Sequence, residues 1–155
     1  MFLPLGDEPN PRGVPVVTYA LLGLNIAVFL LVTLPLSAMR PDFDDPLLAE
    51  YVQALATLRF SVDDVLEFVS AYDLIVFSYG FRPSDPDGIA LFTSMFLHSG
   101  FMHLAGNMLF LWIYGDNVEH RLGRGRFLLA YLGTGVLATS SHALLDLSSV
   151  LPMVG

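Results

Sequence analysis

Cysteine and lysine are both absent from the 155 residues. The lack of cysteine excludes a disulfide framework and thiolate chemistry. Seven basic residues, all arginine, stand against fifteen acidic ones, and the formal net charge is −8. A protein that binds nucleic acid needs a basic face, so this balance predicts that nucleic acid is not a partner.

Charge of either sign is scarce throughout the chain. Charged residues make up 14% of the sequence and hydrophobic residues 54%. A typical soluble domain is about one quarter charged. The composition therefore predicts an all-α integral membrane protein whose first partner is the lipid bilayer.

Three apolar stretches are predicted to span the membrane. Residues 14–36 carry no charge and exceed the roughly 20 residues that cross a bilayer. They lack a small-residue cleavage site, so we expect this helix to be retained and not removed as a signal peptide. Residues 100–121 and 126–145 form the second and third predicted spans. Asn25, inside the first, is interpreted as a packing contact between helices.

The stretch between the first two spans, residues 37–90, is long and acidic. It holds ten of the fifteen acidic residues, all between Asp42 and Asp87. Asp45-Pro46 is a favourable helix start, and Ser61 is a second candidate cap. We expect two short amphipathic helices that lie along the membrane surface.

The most informative polar residues are His98, His103 and Asn107. His103 and Asn107 are four residues apart, so they face the same side of one helix. Ser99 and Gly100 favour a break before that helix, because serine is a good N-cap and glycine permits a bend. We therefore expect His98 just before the helix, and one aqueous pocket at the membrane surface that collects all three side chains.

The same residues open a longer motif. It reads His98-x4-His103-x3-Asn107, then Gly115, Val118-Glu119 and Leu122-Gly123-x-Gly125. This order resembles the rhomboid family of intramembrane serine proteases, and the likeness extends to residues 10–30 and 152–155. The resemblance implies a rhomboid-like helical bundle in a multi-pass protein of the prokaryotic plasma membrane. Residues 1–155 would be the N-terminal part of one rhomboid domain, with the first three transmembrane helices.

By the resemblance, His103 and Asn107 match the positions that line the oxyanion hole, and His98 matches a supporting histidine. The family carries its nucleophile in a Gly-x-Ser-Gly motif at the start of the fourth membrane helix, and its base histidine on the sixth. Residues 146–155 look like the lead-in to that motif, with Gly155 as its first glycine. Neither the nucleophile nor the base has a match in these residues.

The resemblance thus implies a serine endopeptidase that hydrolyses transmembrane protein substrates without a cofactor. We expect the 155 residues to be a truncated, inactive part of it. Ser140, Ser141 and His142 do not replace the missing groups, because residues one or two apart on a helix do not face each other. An alternative is a rhomboid-like pseudoprotease that binds membrane client proteins. A transporter or channel subunit lined by the histidines and Asn107 is a third hypothesis.

Topology follows from the arginines at positions 121, 124 and 126, between the second and third spans. Arginine-rich connections stay in the cytoplasm. Residues 1–13 are then a cytoplasmic tail, residues 37–90 are external, and the histidine-bearing end of the second span faces outside. In rhomboids the external loop lies partly sunk in the outer leaflet. Many members carry a Trp-Arg pair where this chain has Ile89-Ala90, so the docking of the loop is expected to differ.

Two further readings concern charge and metal. Four histidines could suggest a metal site, but no H-E-x-x-H motif and no cysteine accompany them, so no metal is expected. Glu119 with Arg121 and Arg124 is read as a charge cluster that ends the helix and fixes topology. The rhomboid family carries glutamate at the position of Glu119, so the resemblance alternatively implies that Glu119 braces the fold. It is not expected to be catalytic.

Overall fold

A computed structural model describes residues 13–155, and the predicted tail of residues 1–13 therefore lies almost wholly outside it. The described part of the chain is helical, with two isolated β-bridges and no strand. Its helices are α1 (Val16–Ser37), α2 (Pro46–Thr57), α3 (Val62–Phe68), α4 (Ala71–Tyr79), α5 (Gly88–Thr93), α6 (Phe101–Leu122) and α7 (Arg124–Ala143). A 3-10 turn, Ser94–Phe96, continues α5.

Helix α1 is the most apolar of the helices. Among the described helices it is the one that is long and apolar enough by itself to cross a bilayer. Helices α5 and α6 meet that condition only as a pair, bent by 88°. Helix α6 carries His103, Asn107, Asp116 and Glu119, which lower its apolar character. The all-helical class is confirmed, and the assignment of α6 and α7 as spans stays a prediction.

The helices lie close to the predicted boundaries. The structure has Val16–Ser37 for 14–36, Phe101–Leu122 for 100–121 and Arg124–Ala143 for 126–145. Gly123 alone separates α6 from α7, and its φ of +80° lies in the region that favours glycine. The reversal of the chain at this corner therefore depends on that glycine.

Polar residues of α1 point into the bundle. Thr18, Asn25 and Thr33 are buried, with exposed fractions of 1%, 1% and 4%. The Asn25 amide donates to the Leu21 carbonyl at 2.8 Å, and it also interacts with the Tyr131 hydroxyl on α7. Asn25 thus makes the helix-packing contact that its sequence context favours.

Helix α6 packs directly on α1, and two residues make the close approach possible. A Cβ atom at Gly115 would lie 2.7 Å from Thr18 Cγ2. One turn further, the buried Glu119 carboxylate accepts hydrogen bonds from Val17 N (3.1 Å), Thr18 N (2.7 Å) and Thr18 Oγ1 (2.8 Å). Glu119 therefore caps the N-terminus of α1 from a neighbouring helix, where a negative charge is favourable. Of the two readings of this residue, the structure supports the brace.

The loop of residues 37–90 contains more helix than its sequence predicts. Helix α2 begins at Pro46, and the Asp45 side chain accepts from Leu47 N at 2.9 Å, as predicted. Helix α3 follows Ser61, but the serine side chain makes no capping bond. Helix α4 was not predicted from the sequence, although Ser70 and Asp73 form a capping box at its start.

Arg82 joins separate parts of the loop to each other. The Arg82 guanidinium lies 4.1 Å above the Phe77 ring, 3.5 Å from Glu50 Oε1 and 2.8 Å from Asp85 Oδ2. Ile89, at one position of the missing Trp-Arg pair, is 68% exposed. Arg82 thus links α2, α4 and the turn at Asp85 within the loop, and the bridge between Phe81 and Met153 joins the loop to the C-terminal segment.

Candidate functional site

His98 lies in the turn between the 3-10 segment and α6, just before the helix as predicted. Its side chain is buried, and Nδ1 lies 3.3 Å from the Phe96 carbonyl. Its carbonyl oxygen accepts from the Tyr72 hydroxyl of α4 at 2.9 Å. Burial lowers the pKa of the His98 imidazole, the bond to Phe96 opposes this, and the nearby His103 lowers the pKa further.

His103 follows in the first turn of α6 and is exposed. Its ring meets that of His98 edge to face, with centroids 5.4 Å apart and an interplanar angle of 66°. Its Nδ1 atom lies 3.2 Å from Ser99 Oγ. The two histidines are therefore in contact although they lie five positions apart in the sequence, because the turn at Ser99-Gly100 reorients the chain.

Asn107 lies one turn beyond His103 on the same helix and is also exposed. Together with His98 it lines a cavity of about 550 Å³ between α6, α7 and the C-terminal segment. His103 is not among the lining residues and packs on His98 beside the cavity. The three predicted residues are thus close together, and the cavity itself is bordered by two of them.

Helix α7 contributes residues to this cavity that sequence reasoning did not assign to the site. They are Tyr131, Thr134, Thr139 and His142. The spacing of Tyr131, Thr134, Ala138 and His142 at intervals of three or four residues is the signal for a shared helix face. Glycine is needed on this helix at Gly135, where a Cβ atom would overlap the Met95 side chain, whereas the Cβ position of Gly133 meets no neighbouring element within 4 Å.

The C-terminal segment forms one wall of the cavity. Phe81 N donates to Met153 O (3.1 Å) and Met153 N to Phe81 O (2.8 Å), which is a single antiparallel bridge to the loop of residues 37–90. Gly155 N donates to Ser94 O at 2.7 Å. A Cβ atom at Gly155 would lie 2.5 Å from Met95 O. The segment predicted as the lead-in to a serine motif is therefore held next to His98 and Asn107.

The neighbouring histidines also bear on metal binding. His98 and His103 are neighbours, but within residues 13–155 no three histidine or acidic side chains lie where they could hold one ion. The arrangement can present N–H hydrogen-bond donors. Exposed imidazole and amide groups, one turn apart beside a cavity, can both donate to one small acceptor.

The helices and the three polar residues described above define a class of protein: a helical protein with an apolar first helix and a His-His-Asn site. The family model described as Rhomboid domain matches residues 86–155. The chain is 52% identical over 46 residues to Rhomboid protease GluP of Bacillus subtilis, a match that covers 30% of this chain and 9% of that protein. It is 40% identical over 47 residues to Putative rhomboid protease YdcA of the same organism, covering 30% of this chain and 24% of that protein.

A third relative is Rhomboid-type serine protease 2 of Emericella nidulans, 34% identical over 55 residues, with 36% of this chain and 11% of that protein covered. The matches therefore span less than a quarter of each relative's length. No solved structure matches the chain significantly. Residues 86–155 are thus similar to the rhomboid domain, a likeness that supports membership of the rhomboid family of integral membrane proteins.

Proposed function

We propose that this chain supplies the oxyanion-binding half of a rhomboid serine endopeptidase, which hydrolyses peptide bonds of membrane-embedded proteins. The observation that carries the proposal is the placement of His103 and Asn107, both exposed, one turn apart on α6 and beside the cavity. His98, buried against His103, acts as support for the site.

The chemistry follows from what acyl transfer requires. Attack on a peptide carbonyl places a negative charge on its oxygen, and preorganised N–H donors stabilise that charge in the transition state. The Asn107 amide and the His103 imidazole each offer one such donor. The proposed site needs no metal or cofactor for this step.

The nucleophile and the base are proposed to lie in sequence that follows Gly155. No Gly-x-Ser-Gly motif occurs in the 155 residues. Any residue that follows Gly155 starts at the cavity wall, because Gly155 itself lines the cavity. A serine two positions later would be near the proposed donors. The 155 residues alone are proposed to be inactive.

The proposed topology places the site at the outer side of the membrane. His103 and Arg121 are eighteen residues apart on α6, a rise of roughly 27 Å. This is close to the hydrocarbon thickness of about 30 Å. With Arg121, Arg124 and Arg126 in the cytoplasm, the His103 end of α6 faces outside, and the N-terminus lies in the cytoplasm.

The test is cleavage of a reconstituted transmembrane substrate by the full-length protein. We expect cleavage that is abolished when the serine after Gly155 is replaced by alanine. A reading frame without that serine, together with an intact fold and no cleavage, would favour the pseudoprotease alternative. Cleavage that persists without the serine would contradict both the serine endopeptidase and the pseudoprotease hypothesis.

A further inference from the structure

The turn before α6 is held by two side chains whose roles the sequence motif does not assign. Tyr72 fixes the backbone, because its buried hydroxyl donates to the His98 carbonyl at 2.9 Å. Ser99, the next residue, is exposed, yet its hydroxyl lies 3.2 Å from Nδ1 of His103. The imidazole of a proposed oxyanion donor is therefore in contact with a serine that has no role in the motif.

The direction of this hydrogen bond decides what His103 can do. A neutral imidazole carries one proton, and the partner of one ring nitrogen sets which nitrogen holds it. If the Ser99 hydroxyl donates, Nδ1 is the acceptor and Nε2 keeps the proton. If the Ser99 hydroxyl accepts, Nδ1 holds the proton. Nε2 then has a lone pair, which would repel an oxyanion.

The position of Ser99 at a helix N-terminus favours donation by the hydroxyl. The first four backbone N–H groups of an α-helix have no partner in the helix, so this end is rich in donors and poor in acceptors. The nearby Gly100 carbonyl is already used by Leu104 N at 3.1 Å. The helix dipole also places positive potential there, which favours a lone pair at Nδ1 over another N–H.

We propose that Ser99 is a positioning residue, which donates its hydroxyl proton to Nδ1 of His103 and keeps the imidazole in the Nε2–H form. The catalytic meaning of this contact rests on the proposed function, in which the Nε2–H group donates to the oxyanion. The tautomer itself is a property of the folded protein and exists without any reaction.

The test is NMR spectroscopy of the full-length protein in detergent micelles, with 15N in the histidine side chains. The imidazole nitrogen shifts report which nitrogen is protonated, and the His103 signals are identified by their loss in His103→Gln. At a pH near 8, where histidine is neutral, we expect the proton on Nε2. One neutral hydrogen bond biases such an equilibrium by roughly two- to tenfold, so Ser99→Ala should lower the Nε2–H preference by that factor.

Two variants make the result specific. Ser99→Thr retains a hydroxyl and should keep the wild-type tautomer. Ser84→Ala is the control, since Ser84 is exposed and its bond to Ser149 runs through its backbone N–H; this variant should leave His103 unchanged. A His103 proton on Nδ1 in the wild-type protein would overturn the proposal, and so would a tautomer that is the same in Ser99→Ala.

The outcome is separable from that of the proposed function. If the protein does not cleave substrates but Ser99→Ala changes the tautomer, the positioning role holds and the enzyme hypothesis fails. If the protein cleaves, Ser99→Ala should lower kcat by a similar two- to tenfold factor with little change in KM, since the Nε2–H bond forms to the oxyanion. Ser99→Thr should restore kcat.

Discussion

At the scale of single residues, the proposed site combines two exposed donors with one buried support. His103 and Asn107 are exposed, and His98 is 2% exposed. Substitution of an exposed polar side chain usually changes stability little. The donors should therefore affect the reaction and His98 should affect folding, which allows the two roles to be measured apart.

Asn107→Ala tests the donor role. In the full-length protein we expect kcat to fall by about 10²–10³-fold, the usual cost of losing one oxyanion donor. Thermal unfolding in detergent should be unchanged, because the side chain is exposed. Leu129→Ala, at an exposed position on the neighbouring helix α7, is the control and should keep full activity. An Asn107→Ala protein with wild-type kcat would exclude the donor role.

His98 should make stability depend on pH. Burial lowers the pKa of its imidazole in the folded protein, while the unfolded value is about 6.5. Between the folded and the unfolded pKa of His98, the unfolded state therefore binds more protons. The contribution of His98 to stability is fully present above about pH 6.5 and is lost as the pH falls below that.

The measurement is the unfolding temperature in detergent at pH 8 and at pH 5. The decrease on acidification should be smaller in His98→Gln than in the wild-type protein. His142→Gln, at an exposed histidine, should keep the wild-type decrease. An equal decrease in His98→Gln and the wild-type protein would show that His98 does not carry this effect.

Sequence spacing was sufficient to predict His98 before α6 and His103 and Asn107 on one face of it. It was not sufficient for Ser99 or His142. The Ser99 contact depends on the rotamer of His103, and His142 reaches the cavity only because α7 packs on α6 with that face inward. Such contacts arise from tertiary packing, which local spacing does not encode.

At the scale of elements, α1 and α6 are joined by a carboxylate. Glu119 is 3% exposed and accepts three hydrogen bonds from Val17 and Thr18 at the start of α1. A buried donor left without a partner costs about 1–3 kcal/mol. These three hydrogen bonds between α1 and α6 should therefore be among the stronger polar contributions to the free energy of unfolding.

Glu119→Ala should reduce the free energy of unfolding by at least about 1–3 kcal/mol, because it leaves buried donors of α1 unpaired. Glu119→Gln keeps one acceptor oxygen and should lose less. Glu67→Ala, at an exposed acidic residue on α3, is the control and should change little. Chemical denaturation in mild detergent measures all three. If Glu119→Ala were as stable as Glu67→Ala, the hypothesis that Glu119 stabilises the contact between α1 and α6 would be wrong.

Helices with a polar face or a clear cap could be predicted, as α2 was from Asp45-Pro46. Helix α4 was not predicted, although it begins with such a cap, because its residues, among them the buried Tyr72, Leu74 and Phe77, show no amphipathic pattern. Its capping box, Ser70 with Asp73, was the available signal. The bridge between Phe81 and Met153 joins residues far apart in sequence, for which no local pattern exists.

At the scale of the whole molecule, the account depends on topology. The external loop and the His103 end of α6 are proposed to lie outside, and the corner with Arg124 to lie in the cytoplasm. The absence of cysteine from the 155 residues makes single introduced cysteines suitable probes of this arrangement.

Asp63→Cys, in the exposed first turn of α3, should react with a membrane-impermeant maleimide on intact cells. Gly125→Cys, exposed in the first turn of α7 with free space around its Cβ position, should react only after lysis. The ratio of labelling before and after lysis is the measurement. Equal labelling of Gly125→Cys before and after lysis would reverse the proposed orientation.

The most direct test of the central claim is reaction of the full-length protein with a fluorophosphonate, which modifies activated serines, followed by mass spectrometry. The account predicts one adduct, on a serine two residues after Gly155, and none on the 155-residue chain alone. An adduct on Ser140 or Ser141, or a reading frame that ends at Gly155, would contradict it.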